Sequence, residues 1–246
     1  MALLTQNSEL KPHGVWNFTI PAWYVRRENG ELFKTCPNAG ACAQVCYARN
    51  GTYLFKNVRA AHTRNLELVL NDPVEFVAQL LKELSHKKFR PTGVAREMPD
   101  GVDMSKLHPF LRKWIHTGGK AVRIHDSGDF FNELYLRLWT GVAEHVPDVL
   151  FYAYTKEVLM FKEFGEFPDN FRYLFSTGGK QDIYIEDTDR HADVFPNLDA
   201  IQAAGYTSQD ASDLLAILLP TNRIGIPANN IKHFNKRIAG RRFSEL

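Results

Sequence analysis

Three cysteines, Cys36, Cys42 and Cys46, fall within eleven residues of a 246-residue chain, and the chain has no others. Their spacing is C-x5-C-x3-C, in the stretch Cys36-Pro-Asn-Ala-Gly-Ala-Cys42-Ala-Gln-Val-Cys46-Tyr47. Pro37 and Gly40 keep the start of this loop from being helical. Thiolates are soft donors that select zinc, copper(I) or iron–sulfur clusters. A structural zinc site wants four closed ligands, usually as two separated pairs, and here His62 or His13 would have to supply the fourth. A 4Fe-4S cluster can instead be held by three cysteines, with one iron left for another ligand. The expectation is therefore a cluster loop with an open iron that takes a small-molecule ligand. A Cys3His zinc site and buried free thiols are the alternatives. An odd cysteine count and a start without an apolar h-region argue against a disulfide framework and suit a reducing cytoplasm.

Such a loop needs a scaffold. Hydrophobic residues make up 44% of the chain and charged residues 24%, ordinary for a globular protein with a sizeable core. The net charge of +2 gives no global bias toward nucleic acid or membrane, and no apolar run approaches the ~18 residues of a membrane span. The sequence shows no repeat or low-complexity tract, and residues 1–246 read as a single iron–sulfur (β/α) domain.

In chain order, residues 15–20 alternate as a strand, and 23–34 read as a hairpin around an Asn29-Gly30 turn. The cysteine loop follows. Residues 57–70 carry a helical pattern, with Arg59 and Arg64 beside it, and Asp72-Pro73 opens a second helix with Val74, Val77, Ala78, Leu81 and Leu84 as its apolar side and a basic end at Lys82, Lys87, Lys88 and Arg90. Pro91, Gly93, Pro99 and Gly101 mark an irregular crossover. Ser105 to His116 reads as a helix stopped at Gly118-Gly119. Then strands at 121–124, 149–154 and 171–175 alternate with helices after Asn132 and near 157–164. An acidic, irregular stretch precedes a helix near 197–204. An apolar run at 214–219 fits either helix or strand, and 222–226 reads as a last strand.

Strand, polar loop, helix, strand is the pattern of an α/β parallel sheet, open or closed as a partial or full TIM-like (β/α) barrel. Active sites in such folds gather at the carboxyl ends of the strands. Three successive strands end in His125-Asp126-Ser127-Gly128-Asp129, Thr155-Lys156 and Ser176-Thr177-Gly178-Gly179, and the cysteine loop also follows a strand. His125 and Asp126 are candidates for an acid–base pair, and Lys156 for neutralising a carboxylate or phosphate. Asp129 can accept from an ammonium group. Gly178 and Gly179, with Ser176, can let backbone approach a ligand. Each has a plainer reading: local capping where the strand ends, a solvated lysine, a turn.

A three-cysteine loop after the first strand of a (β/α) barrel resembles the radical S-adenosylmethionine (SAM) enzymes. The resemblance implies a 4Fe-4S cluster whose open iron is chelated by the amino and carboxylate groups of SAM, and whose reduction yields a 5′-deoxyadenosyl radical. Ser127-Gly128-Asp129 stands where that superfamily has a Gly-Gly-Glu contact to the amino group. The chain departs from the usual pattern in three ways: its spacing is wider than C-x3-C-x2-C, Tyr47 follows the last cysteine rather than preceding it, and Asp replaces Glu. The motif Cys-Pro-x-Ala-Gly-x-Cys-x3-Cys-Tyr-Ala, with the later His-Asp-Ser-Gly-Asp-Phe, is also similar to a bacteriophage-encoded family. That likeness implies residence in a host cytoplasm and no particular activity.

The segment 232–246 carries five Lys/Arg against one Glu. A basic terminus can track nucleic-acid phosphates or simply solubilise the chain, which leaves a non-catalytic metal protein with a nucleic-acid partner as the second expectation.

Overall fold

The computed structural model describes residues 2–228 and 232–246. Its strands are β1 (Val15–Phe18), β2 (Tyr24–Arg26), β3 (Leu32–Lys34), β4 (Lys120–Ile124), β5 (Val149–Thr155), β6 (Phe171–Ser176), β7 (His191–Phe195), β8 (Thr207–Ser208) and β9 (Arg223–Pro227). Strands β2 and β3 form an antiparallel hairpin. The other seven make one sheet in the order β1-β4-β5-β6-β7-β9-β8, with every neighbouring pair parallel. Among the described residues no pairing joins β1 to β8, so the sheet does not close into a ring. The outer edge of β1 is covered by Thr5, which exchanges two backbone hydrogen bonds with Asn17.

The helices are α1 (Cys42–Val45), α2 (Lys56–Asn71), α3 (Pro73–Leu84), α4 (Pro109–Thr117), α5 (Glu133–His145), α6 (Val158–Phe164), α7 (Leu198–Ala203), α8 (Leu215–Leu218) and α9 (Lys232–Ile238). Their ends follow from local chemistry. The Asp72 carboxylate accepts from the Glu75 N–H while Pro73 takes the first helical position. Asn132 accepts from Tyr135 N–H to open α5, and Gly118 stops α4 in the left-handed region.

Alternation along the strands divides the core. Phe18, Val122, Ile124, Phe151 and Phe175 face α2, α3, α5 and α6, where Phe76 and Trp139 are fully buried. Val15, Ala121, Leu150, Tyr152, Leu174 and Ile224 face the other way, against α4 and α8. The sheet is thus buried on both faces, as parallel sheets are.

The apolar run at 214–219, which fitted either helix or strand, contains helix α8. Other elements differ from the sequence reading. The acidic stretch hides strand β7, whose His191-Ala-Asp-Val-Phe195 breaks the apolar pattern with a fully buried Asp193. The helix expected from Ser105 begins at Pro109, after a separate 3-10 turn at Met104–Lys106. The basic tail contains helix α9 and a closing turn at Phe243–Glu245, and part of it lies outside the described residues.

The turn after β4 aims the chain at the site and depends on Gly128, which has φ +88° and whose Cβ would stand 2.2 Å from Ile20 Cγ1. Gly128→Ala is expected to lower stability by about 2–4 kcal/mol in urea denaturation. Gly141→Ala, in mid-α5 with open space around it, should stabilise by about 0.5–1 kcal/mol.

Candidate functional site

The β2–β3 hairpin delivers the chain to Cys36. Trp23, at φ +62°, turns back so that its N–H donates to Cys36 Sγ at 3.3 Å, and Thr35 N–H and Oγ1 both donate to the Trp23 carbonyl. The loop then docks on the end of β6. Ala39 forms an antiparallel bridge with Gly179. The Gly40 and Cys42 N–H groups both donate to the Gly178 carbonyl, at 3.2 and 3.0 Å, and Lys180 N–H donates to the Asn38 carbonyl at 2.8 Å. A Cβ on Gly40 would lie 3.0 Å from the Gly178 and Gly179 backbone, so the close approach requires glycine here. Cys42 opens α1, and Cys46 follows its last turn.

The three sulfurs share one electrostatic neighbourhood. Burial pushes the Cys36 thiol well above the ordinary range, with Asp129 and Cys42 adding to the shift. Burial and then Cys42 push the Cys46 thiol up to about 11, against the opposing pull of Arg49 and Lys156. As free thiols both hold their protons at neutral pH. Any soft metal bound here would have to displace those protons.

The expected site residues separate into groups. Asp129 is buried beside Cys36, and its carboxylate accepts from Thr155 Oγ1 at 2.7 Å, Lys156 N–H at 2.9 Å and Phe130 N–H at 2.8 Å. It ties strand ends together. Lys156 is buried, with Nζ donating to Ser176 Oγ at 2.7 Å, and its charge reaches Cys46 and Asp129. Ser127 Oγ donates to the Ile20 carbonyl at 2.6 Å. Gly178 and Gly179 give their N–H groups to the Asp182 carboxylate, at 2.7 and 2.9 Å. Their backbone therefore serves the cysteine loop and Asp182.

His125 and Asp126 are adjacent in sequence and point apart. His125, at φ +66°, lies in the aromatic core with Phe18, Phe130 and Tyr135, and its Nε2 is 2.9 Å from Tyr135 Oη. Burial pushes its pKa down to about 3, so the ring is neutral. Asp126 faces the other way. It accepts from Tyr53 Oη at 2.6 Å, and Arg123 lies 3.6 Å from both Asp126 and Asp213. The Tyr47 hydroxyl donates to the Asp126 carbonyl. His62 joins this group through its contact with the Tyr53 ring, 6.0 Å between centroids. His13 sits before β1, at the opposite end of the sheet.

Other residues here escape a sequence reading. Glu157 is buried and accepts from Asn38 N–H at 3.1 Å and Asn38 Nδ2 at 2.5 Å, pinning the loop from below. Asp193 accepts from Thr177 Oγ1 and Ser244 Oγ, both at 2.6 Å, and so fastens the C-terminus. Ile238 and Phe243 pack with Val45, and Cys42 borders the same cluster. The basic tail is thereby part of the cysteine loop's packing. The residue types carry little signal for these roles, because each works through a partner more than fifty residues away.

Among the described residues, no three His, Cys, Asp or Glu side chains are gathered to hold a single metal ion. Donors sharing one tetrahedral zinc stand about 4 Å apart.

Fold and site together define a parallel α/β protein whose three-cysteine loop is docked on the carboxyl ends of the strands. The family model described as Gene product 88 matches residues 1–245, and the chain belongs to that family. The chain is 33% identical over 123 residues to the Gene 88 protein of Mycobacterium phage L5, covering 50% of the chain and 43% of the relative. It is 32% identical over 124 residues to the Gene 88 protein of Mycobacterium phage D29, covering 50% and 42%. The matched part thus spans less than half the length of these curated relatives. No solved structure matches the chain.

Two outcomes follow. Burial, then Asp129, raises the Glu157 carboxyl to about 7. Its protonated form favours the fold, so its contribution is whole below the ordinary carboxyl pKa and is lost as pH rises through 7. Denaturation midpoints should fall over that window, and Glu157→Gln should shrink the fall. Separately, Phe243→Ala should speed disulfide-reagent modification of Cys42 severalfold in the folded protein, with the secondary-structure signal unchanged.

Proposed function

We propose that Cys36, Cys42 and Cys46 hold a 4Fe-4S cluster with one open iron, and that the protein is a radical SAM-like enzyme built on a partial (β/α) barrel and working in the cytoplasm of an infected host cell. The observation that carries this reading is the docked loop. Three thiols occupy one electrostatic neighbourhood at the carboxyl ends of parallel strands, on backbone fixed by Gly178, Gly179 and Asn38. The donor set is soft and suits iron–sulfur chemistry.

When bound, the cluster would supply one-electron reduction of a SAM molecule at the open iron. The chain's own residues have separate tasks. Lys156 holds a buried positive charge beside Cys46, which offsets thiolate charge and favours an anionic group on the ligand. Asp129 already accepts three hydrogen bonds, so in this reading it orders the strand ends and bears on an ammonium group only through its charge. Asp126, Arg123, Tyr53 and His62 form one polar group beyond the end of β4, where a substrate would lie.

The test begins with anaerobic purification and iron, sulfide and zinc analysis. The expected result is brown protein with about four irons and four sulfides per chain, lost in Cys42→Ala. Colourless protein with one zinc would overturn the cluster. With the cluster in place, dithionite and SAM should yield 5′-deoxyadenosine. Its absence, with candidate substrates also present, would remove the radical chemistry and leave the cluster.

A further inference from the structure

A continuous strip of cations and aromatic rings borders the cysteine loop on its hairpin side. Lys180 donates from Nζ to the Pro37 carbonyl at 3.2 Å and sits beside Lys34, with which it interacts directly. Lys34 Nζ lies 5.7 Å from the centre of the Tyr24 ring. Tyr24 and Trp23 meet edge to face at 4.9 Å, and the Arg49 guanidinium stacks 4.6 Å over Trp23. The order along the surface is cation, cation, ring, ring, cation.

The cations are not compensated. Arg27, on the same hairpin, pairs with Glu31 and Glu67. Among the described residues no carboxylate lies within ion-pair distance of Lys34, Arg49 or Lys180. The carboxylate of Glu157 acts on both lysines but is bonded to Asn38. Two ammonium groups held side by side favour an anion between them. Tyr24 is 42% exposed and Tyr47, two residues from Arg49 in the same 3-10 turn, is 41% exposed, so both rings are partly open to solvent among the charges.

We infer that this strip binds single-stranded nucleic acid, with phosphates on Lys34, Lys180 and Arg49 and bases stacked on the Tyr24 and Trp23 rings. Single-strand binders combine a cationic track with aromatic platforms in this way. A duplex keeps its bases stacked inside and offers nothing to the rings. An acidic peptide would use the cations and leave the rings idle. Trp23 also bonds to Cys36 through its N–H, so a strand following the strip passes beside the cysteine loop. The strip is complete in the polypeptide alone, and the inference does not depend on the cysteines carrying iron.

Fluorescence anisotropy of the full chain with a labelled oligothymidylate of about fifteen nucleotides tests it, against a duplex of equal length and a polyglutamate peptide. The expected result is saturable binding to the single strand in preference to both competitors. Three phosphate contacts predict a log–log salt slope of about −2. The triple variant Lys34→Glu/Arg49→Glu/Lys180→Glu should lose that slope and nearly all affinity while remaining folded by circular dichroism at the assay temperature. Tyr24→Ala, which leaves every charge in place, should weaken binding about tenfold with the slope retained. Absence of saturable binding at low salt, equal binding by the triple variant, or preference for the duplex or for polyglutamate would each overturn the inference.

Discussion

The buried carboxylate of Asp129 is the point on which the carboxyl end of the sheet depends. Removing an ionisable group from water is costly unless it is fully bonded, and here three donors converge on it. Two of those donors come from the end of β5, at Thr155 and Lys156. The Asp129 N–H donates to the Thr35 carbonyl, immediately before Cys36. One residue thus fixes the ends of β4 and β5 and the entry to the cysteine loop. Asp193 repeats the device one strand pair further on. It accepts from its own next N–H, from the Thr177 hydroxyl after β6, and from Ser244 at the C-terminus. The two aspartates hold the loop and the segment that covers it by the same chemistry.

This dock accounts for the wide spacing between the first two cysteines. The residues from Pro37 to Ala41 do more than connect. Asn38 bonds Glu157 and Lys180, Ala39 bridges Gly179, and Gly40 makes the approach to Gly178 close enough for two N–H groups to share one carbonyl. A shorter link would leave no backbone for that pairing. Cys42 N–H is one of the two donors, so the second cysteine is positioned by the dock itself. The third follows through one helical turn.

Much of the scaffold was legible in the sequence because it rests on local signals. The Asp72-Pro73 and Asn132 caps, the Gly118 stop and the apolar strands at 121, 149 and 171 lie where the chain's periodicity puts them. Strand β7 was not legible, because its buried Asp193 looks like a surface residue until its partners Thr177 and Ser244 are known. The same holds for the site. The cysteines, Lys156 and Asp129 could be named from their place at strand ends. The separate directions of His125 and Asp126 could not, since they turn on a single positive φ. Glu157 gave no signal, because its role exists only through Asn38, more than a hundred residues earlier.

The charges around the loop fit together when thiolate, carboxylate and ammonium are considered as one set. Cys36 and Cys46 are held protonated by burial, and Asp129 and Glu157 are both raised by it. Several acidic groups packed this closely cannot all ionise against a single buried lysine. A bound cation would change that balance, because thiolates formed on a metal are neutralised by it. Lys156, buried beside Cys46, already opposes part of this accumulation of acidic groups. In the proposed cluster-bound form, metal would take the place of the thiol protons, on a loop that the hydrogen bonds of Asp129 and Glu157 already hold to the strand ends.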